Sequence, residues 1–325
     1  MKKGTIIALI VAISLIIVGG TVLVLGLSFA GGGEPKSILT EHTVPVRESF
    51  ESILIDTQDC SVEFVPYAGE ADAHIVLRQR EDVSHQILVA DGTLKIEMHD
   101  DRDWRDHVGI FSAIENMEMK IYLPEKQYES LIVYTATGDV KVPGELSVKE
   151  ATLRSDTGDI HYFGKTAASL DCMSSTGDIS VRGGAPALMK LQTNTGDINL
   201  QGVAGTEIYL ENNTGETEME NVTAQMLSCS SDTGDVELEK VLIEDYLQIF
   251  TTTGDVGIEN SDAGAVNIET DTGDVGGNFL SPKWFQAHSD TGNVKVPSTP
   301  EGGECRIETD TGDISFFYDG SQKIG

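Results

Sequence analysis

The stretch "LSCSSDTGDVELEKVLIEDYLQIFTTTGDVGIE", residues 227–259, holds two copies of Thr-Gly-Asp-Val, with Thr233 and Thr253 twenty residues apart. The first copy contains Asp-Thr-Gly, the tripeptide that marks an aspartic protease active site, and the tripeptide starts at Asp156, Asp232, Asp271, Asp290 and Asp310. Spacing decides against protease chemistry. Thr-Gly-Asp or a near variant recurs ten times, at Thr137, Thr157, Thr176, Thr195, Thr214, Thr233, Thr253, Thr272, Thr291 and Thr311, always 19 or 20 residues apart. An aspartic protease brings two carboxylates onto one water and shares a proton between them. Ten even copies describe a structural corner turned once per coil.

Aligning the chain on that threonine shows what a coil contains. Four residues before it stand apolar side chains such as Val133, Leu153, Cys172, Cys229 and Ile249. Six before it stand others, among them Leu131, Leu170, Met189, Leu247 and Cys305. Two before it stand only Thr, Ser or one Asn (Asn212). This is period-two alternation, a strand with one buried face. Past the corner the alternation resumes with shifted phase, at Val140, Ile160, Ile179 and Val256, then Val142, Val181, Leu200 and Ile258. The expected inward set is therefore −6, −4, −2, 0, +3 and +5 relative to the threonine. The glycine supplies the φ the corner needs, and the aspartate accepts from nearby backbone N–H groups. The hydroxyls at −2 and 0 are expected to form stacked ladders that satisfy one another.

A coil of this length cannot bury its own apolar face, so neighbours must stack on it. The predicted fold is all-β: a parallel β-solenoid (β-helix) of about ten coils, ~45 Å long at ~4.8 Å per coil. Residues 131–325 form this repeat. Residues 34–130 read as an N-terminal β cap of antiparallel or irregular strands, protecting the open end. Within it Asp56-Thr57-Gln58-Asp59 reads as a degenerate first corner, and "HDDRDWRDH" (99–107) as a charged loop. Pro282-Lys283-Trp284-Phe285 departs most from the pattern and reads as an elongated outer loop.

Residues 1–33 form the third region. Residues 5–30 carry no charge, and as a helix they would span ~39 Å, more than a ~30 Å hydrocarbon core. A single-pass transmembrane anchor is expected. Lys2 and Lys3 place the N-terminus in the cytoplasm and the bulk of the chain outside the cell membrane. Cleavage after Ser28-Phe29-Ala30 is the alternative, disfavoured by the length of the apolar run.

The chain of 325 residues has 53 acidic and 22 basic side chains, a formal charge of −31, which excludes nucleic acid as a partner. Two accounts stand for the acidic column Asp139, Asp159, Asp178, Asp197, Glu216, Asp235, Asp255, Asp274, Asn293 and Asp313. Stacked carboxylates ~4.8 Å apart repel by ~0.9 kcal/mol per pair even in water. Backbone hydrogen bonding with salt screening offsets this in the first account, and Ca²⁺ between coils in the second. No cofactor is otherwise called for. No catalytic, cofactor-binding or metal-binding residue is singled out: the seven histidines are scattered and read as surface residues, and there is no phosphate loop or nucleophile elbow. Cys172 and Cys229 share a column three coils apart, ~14 Å, and Cys305 lies four coils further along the chain. All are expected reduced and buried, with Cys60 in the cap.

The TGDV/TGDI corners, with "IYLPEKQYESLIVYTATGDV" (121–140) leading into the first, resemble a group of bacterial membrane-anchored repeat proteins labelled adhesins, similar to the toast-rack domains of envelope-stress systems. The resemblance covers about residues 45–318. It implies a non-enzymatic cell-surface scaffold that binds an envelope protein or polysaccharide. It also implies a second reading, a sensory ectodomain that signals through a partner membrane protein. A calcium-stabilised module is the third. The family supplies no catalytic residues. Thr214-Gly215-Glu216 and Thr291-Gly292-Asn293 depart from its Asp.

Overall fold

The computed structural model describes residues 39–318 except 70, 71, 82, 101–116 and 300. The apolar segment 5–30 and most of the charged loop 99–107 lie outside the described residues. Among those described, no helix is long and apolar enough to cross a membrane.

Every described element is a strand. The N-terminal part holds β1 (Leu39–Val46), β2 (Ser52–Asp56), β3 (Cys60–Tyr67), β4 (Ala73–Arg80), β5 (Val83–Ala90), β6 (Thr93–Asp100) and β7 (Met117–Pro124). The coils follow: β8 (Gln127–Thr137) and β9 (Val140–Val142), β10 (Ser147–Thr157) and β11 (Ile160–Tyr162), β12 (Lys165–Thr176) and β13 (Ile179–Arg182). Next come β14 (Leu188–Thr193) and β15 (Ile198–Gln201), β16 (Glu207–Thr214) and β17 (Thr217–Glu220), β18 (Thr223–Thr233) and β19 (Val236–Glu239). The last are β20 (Leu242–Thr253), β21 (Val256–Thr272), β22 (Val275–Phe279), β23 (Lys283–Thr291), β24 (Val294–Lys295), β25 (Gly303–Thr311) and β26 (Ile314–Tyr318).

Strands before the corner stack in parallel as one sheet, and strands after it stack in parallel as a second. The register is one motif per step: Thr137 faces Thr157, and Thr157 faces Thr176. The apolar columns fill the space between the sheets, with Leu153, Cys172, Ile249, Ile160 and Ile258 all at 0 % exposure. Bulges at Val148/Glu150 and Ala224/Met226 bend the longer strands. Their first residues then form a short third ladder, seen in Thr223 facing Leu242 and Leu242 facing Asp262.

The sequence order of coils is not the spatial order at the C-terminal end. β25 lies between β21 and β23, and β26 between β22 and β24. The last coil in sequence is thus tucked under the one before it. Phe316 stacks on Phe279 with ring centroids 5.1 Å apart and meets Phe285 at 5.6 Å, filling the step between those two coils. Cys305 therefore sits three coils from Cys229, not four. The segment expected as an outer loop at 282–285 is instead the start of strand β23, with Lys283 buried.

At the other end β2 and β3 form a further coil on β8 and β9. Its corner is not centred on Thr57. Thr57 aligns with Thr135, and Asp59-Cys60-Ser61 stands where Thr137-Gly138-Asp139 follows: the Ser61 hydroxyl accepts the Asp139 N–H at 3.2 Å, as an aspartate does elsewhere. Cys60 stands where the later corners have glycine, and it faces Met117 at the start of β7. β6 and β7 add a parallel layer outside β2 and β3, and only β1, β4 and β5 run antiparallel. The N-terminal layers are thus mixed rather than antiparallel.

Candidate functional site

The corners come first, since they carry the motif. The Asp159 N–H donates to Asp139 Oδ1 at 3.1 Å, Asp178 to Asp159 at 2.9 Å, Asp197 to Asp178 at 2.8 Å, and Glu216 to Asp197 at 2.8 Å. Beyond the middle of the stack the same bond joins Asp255 to Asp235, Asp274 to Asp255, Asp313 to Asp274, and Asn293 to Asp313. Each of these aspartates therefore caps a backbone N–H of the next coil in space. The ladder is directional and ends on Asn293, which has no coil above it among the described residues. The expected backbone bonding is found, between coils rather than within one turn. The N–H of Asn293 and its side-chain amide hold the Asp313 carboxyl below the usual carboxylate range.

Glu216 carries one methylene more than its neighbours, and no bond from its carboxylate to the Asp235 N–H is found. Glu216→Asp should complete the ladder and stabilise the fold by about 0.5–1 kcal/mol, read as a rise in the urea midpoint at unchanged slope.

The expected hydroxyl ladder is replaced by a different one. In the first coils the Ser or Thr at −2 donates to the glycine carbonyl of the neighbouring coil, Ser155 to Gly138, Ser174 to Gly158, and Thr193 to Gly177, at 3.0–3.1 Å, whereas Ser231 and Thr251 donate to the glycine carbonyl of their own corner, Gly234 and Gly254. Only Thr251 and Thr270 bond each other, at 2.9 Å. The corner threonines themselves are exposed, so position 0 is not inward. Stacking forces the two columns apart, because the glycine carbonyl points inward to the −2 hydroxyl while the chain turns outward at 0.

The outer surface divides in two. On the post-corner sheet the outward residues of β17, β19 and β21 bring Glu218, Glu237 and Glu259 into one acidic patch beside Asp235 and Asp255. The Glu237 carboxylate leans over Gly257, where a Cβ would meet Oε2 at 2.0 Å. Partial burial pushes the Glu237 carboxyl up, and Asp235, Glu259, Asp255 and Glu218 push it further. A carboxyl raised on folding binds its proton more tightly in the native state, so its penalty is present at neutral pH, declines as pH falls through the folded value and is gone below the unfolded one. Glu237→Gln should stabilise the chain near pH 8 by on the order of 0.5 kcal/mol, screening included, and change nothing near pH 4. Paired urea titrations at the two pH values check this.

The pre-corner sheet presents rows of unlike neutral and charged residues, such as Lys190, Tyr209, Ser228, Gln248 and Asn267, one per coil. A groove of about 580 Å³ crosses the short third ladder, lined by Gly205, Thr206, Ala224, Leu242, Asp262 and Ser281. At its end the buried Lys283 ammonium pairs with Asp262 and donates to the Ala263 carbonyl at 2.8 Å and the Ser281 hydroxyl at 2.9 Å. Sequence reading missed this pair. The lone lysine beside a proline at the pattern's weakest point was its only trace.

The histidines stay scattered, but not all are surface residues. His85 is half-buried, bonded to Gln79 at 2.6 Å, and burial pushes it down to about 4. Among the described residues no three His, Cys, Asp or Glu side chains are placed to hold a metal ion together. All four cysteines are free and buried, and burial pushes the thiols of Cys60, Cys229 and Cys305 up to about 12, leaving them inert.

Three solved structures are similar to the chain. One is described as a "putative adhesin" from Bacteroides fragilis, 15 % identical, covering 88 % of this chain and 100 % of its own, with a TM-score of 0.39. A second, from Parabacteroides merdae, is 15 % identical over 76 % of this chain and 98 % of its own, with a TM-score of 0.45. A third, from Parabacteroides distasonis, is 13 % identical over 84 % of this chain and 98 % of its own, with a TM-score of 0.47. At such scores none of the three carries a functional inference. No curated protein sequence matches the chain. The family described as Toastrack DUF4097 matches residues 50–239 and 206–325, most of the repeat and of the layers before it. The chain belongs to the Toastrack DUF4097 family.

Proposed function

We propose that the chain is a non-catalytic cell-surface scaffold. Residues 5–30 hold it in the cell membrane as a single-pass anchor, N-terminus inside, and the solenoid stands outside and binds an envelope protein or a wall polysaccharide along its faces. The observation that supports this reading is the pre-corner face, where side chains such as Tyr209, Ser228 and Gln248 stand one coil apart in straight rows. A row at ~4.8 Å spacing offers an extended partner many evenly spaced contacts. Catalysis needs unlike groups converging on one point.

The test uses the full-length chain in nanodiscs, cosedimented with isolated bacterial cell-wall sacculi and with solubilised envelope proteins. Retention that falls when Tyr209 and Gln248 are changed to Ala supports the reading. Turnover of a wall polysaccharide by the same preparation overturns it. External protease that leaves the solenoid intact on whole cells overturns the topology.

A further inference from the structure

We propose that the C-terminal end of the solenoid is a self-association face, on which a second copy of the chain docks tail to tail about a two-fold axis. β23 pairs with β25 and β24 with β26, and among the described residues no strand covers their other edges. Both sheets thus end in an open ladder at the same place. The apolar interior is open there too: Val294 is 41 % exposed, and Phe285, Ala287 and Val296 are only partly buried. The matching positions one coil in, Cys305, Ile307 and Ile314, are at 0 %.

An end with two strand edges and an apolar layer between them is complemented by an object of the same cross-section. A second copy supplies that object. A two-fold axis perpendicular to both the strands and the stacking direction sets β23 antiparallel to its own copy, keeps each sheet continuous, and keeps inward residues inward. Thr299 already bonds the Lys283 carbonyl at 2.6 Å, so the usable edge runs from Trp284 onward.

Charge points the same way. The chain carries −31, yet with Lys283 neutralised by Asp262 the stretch 284–296 holds Lys295 against the single acid Asp290, a formal 0. The acidic column ends there in the neutral Asn293. Two copies can approach at this end without the repulsion they meet elsewhere. The face, about 30 Å along the strands and ~10 Å between the sheets before outer side chains are added, gives at least ~300 Å² per copy, below the ~800 Å² per partner of standard interfaces, so the association belongs in the micromolar range.

The test is sedimentation of the full-length chain in detergent across micromolar concentrations, with Val294→Lys at this end and Leu88→Lys on β5 at the other. Expected is a species of twice the monomer mass that Val294→Lys abolishes and Leu88→Lys leaves intact. An inward-pointing charge is a known block to edge pairing, and Val294 is exposed enough for the monomer to tolerate it. Hydrogen exchange provides the measurement that needs no variant: amides of β23 should exchange more slowly as concentration rises. A wild-type monomer whose β23 exchange ignores concentration overturns the proposal, as do open-ended assemblies that either lysine disrupts.

Discussion

Gly254→Ala is expected to cost at least ~3 kcal/mol and lower the melting temperature by about 6–12 °C, although the residue is part of an outward corner. Gly254 has φ +153°, and a Cβ placed on it would stand 2.1 Å from the Gly234 carbonyl oxygen of the coil beneath. The obstacle is backbone, and that backbone is itself held by the Gly234 N–H bond to the Thr253 carbonyl at 2.9 Å. Moving one corner moves the column. Gly92→Ala is the control: φ is +72°, but nothing lies within 4 Å of the added Cβ. It should cost only ~1 kcal/mol, the conformational term alone. Thermal unfolding of the two variants separates collision from φ preference, and equal losses would mean stacking does not demand the glycine.

The second large effect is at the C-terminal end. Lys283→Ala should destabilise by about 3–5 kcal/mol, because it leaves the Asp262 carboxylate facing a cavity without its cation. Lys283 is 2 % exposed and its ammonium also stands 5.5 Å from the centre of the Phe279 ring. Lys283→Met fills the volume and should lose less, and Lys283→Met with Asp262→Asn should recover most of what remains. A Lys283→Ala melt within a degree of wild type would show that the pair contributes nothing.

Much of the coil was legible because burial and alternation share one cause. The columns at −6, −4, +3 and +5 are apolar in sequence and buried in the fold, Leu170 and Val181 alike. Position 0 misled, since a threonine in phase with an inward row looks inward. Only the turn of the glycine after it puts Thr176 outside. Coil order was hidden for a deeper reason. Every coil offers the same ladder, so spacing cannot tell that β25 slips between β21 and β23. Two residues carried a trace: Asn293, where no further N–H needs capping, and Phe316, large enough to fill between Phe279 and Phe285. The degenerate first corner was found but misplaced by two residues, because Thr57 imitates the motif threonine while Ser61 does the work of the aspartate. The acidic patch around Glu237 was open to reading only in part, since Glu218 and Glu237 stand in one outward column while Glu259 stands in the next, facing Glu239. The buried Lys283 pair was not, because it joins a bulged strand to a coil 21 residues on.

The central claim is that the aspartate of Thr-Gly-Asp acts as a hydrogen-bond acceptor for the next coil and not as a charge. Asp255 tests it, since its Oδ1 receives the Asp274 N–H at 2.7 Å. The measurement is thermal unfolding of Asp255→Asn and Asp255→Ala beside wild type, in calcium and in chelator. Asparagine keeps the acceptor and removes repulsion, so it should melt at or above wild type, while alanine should lose about 1 kcal/mol, with calcium changing neither. Asparagine falling as far as alanine, with a wild-type melt that rises only in calcium, would contradict the account and make the column a metal ladder.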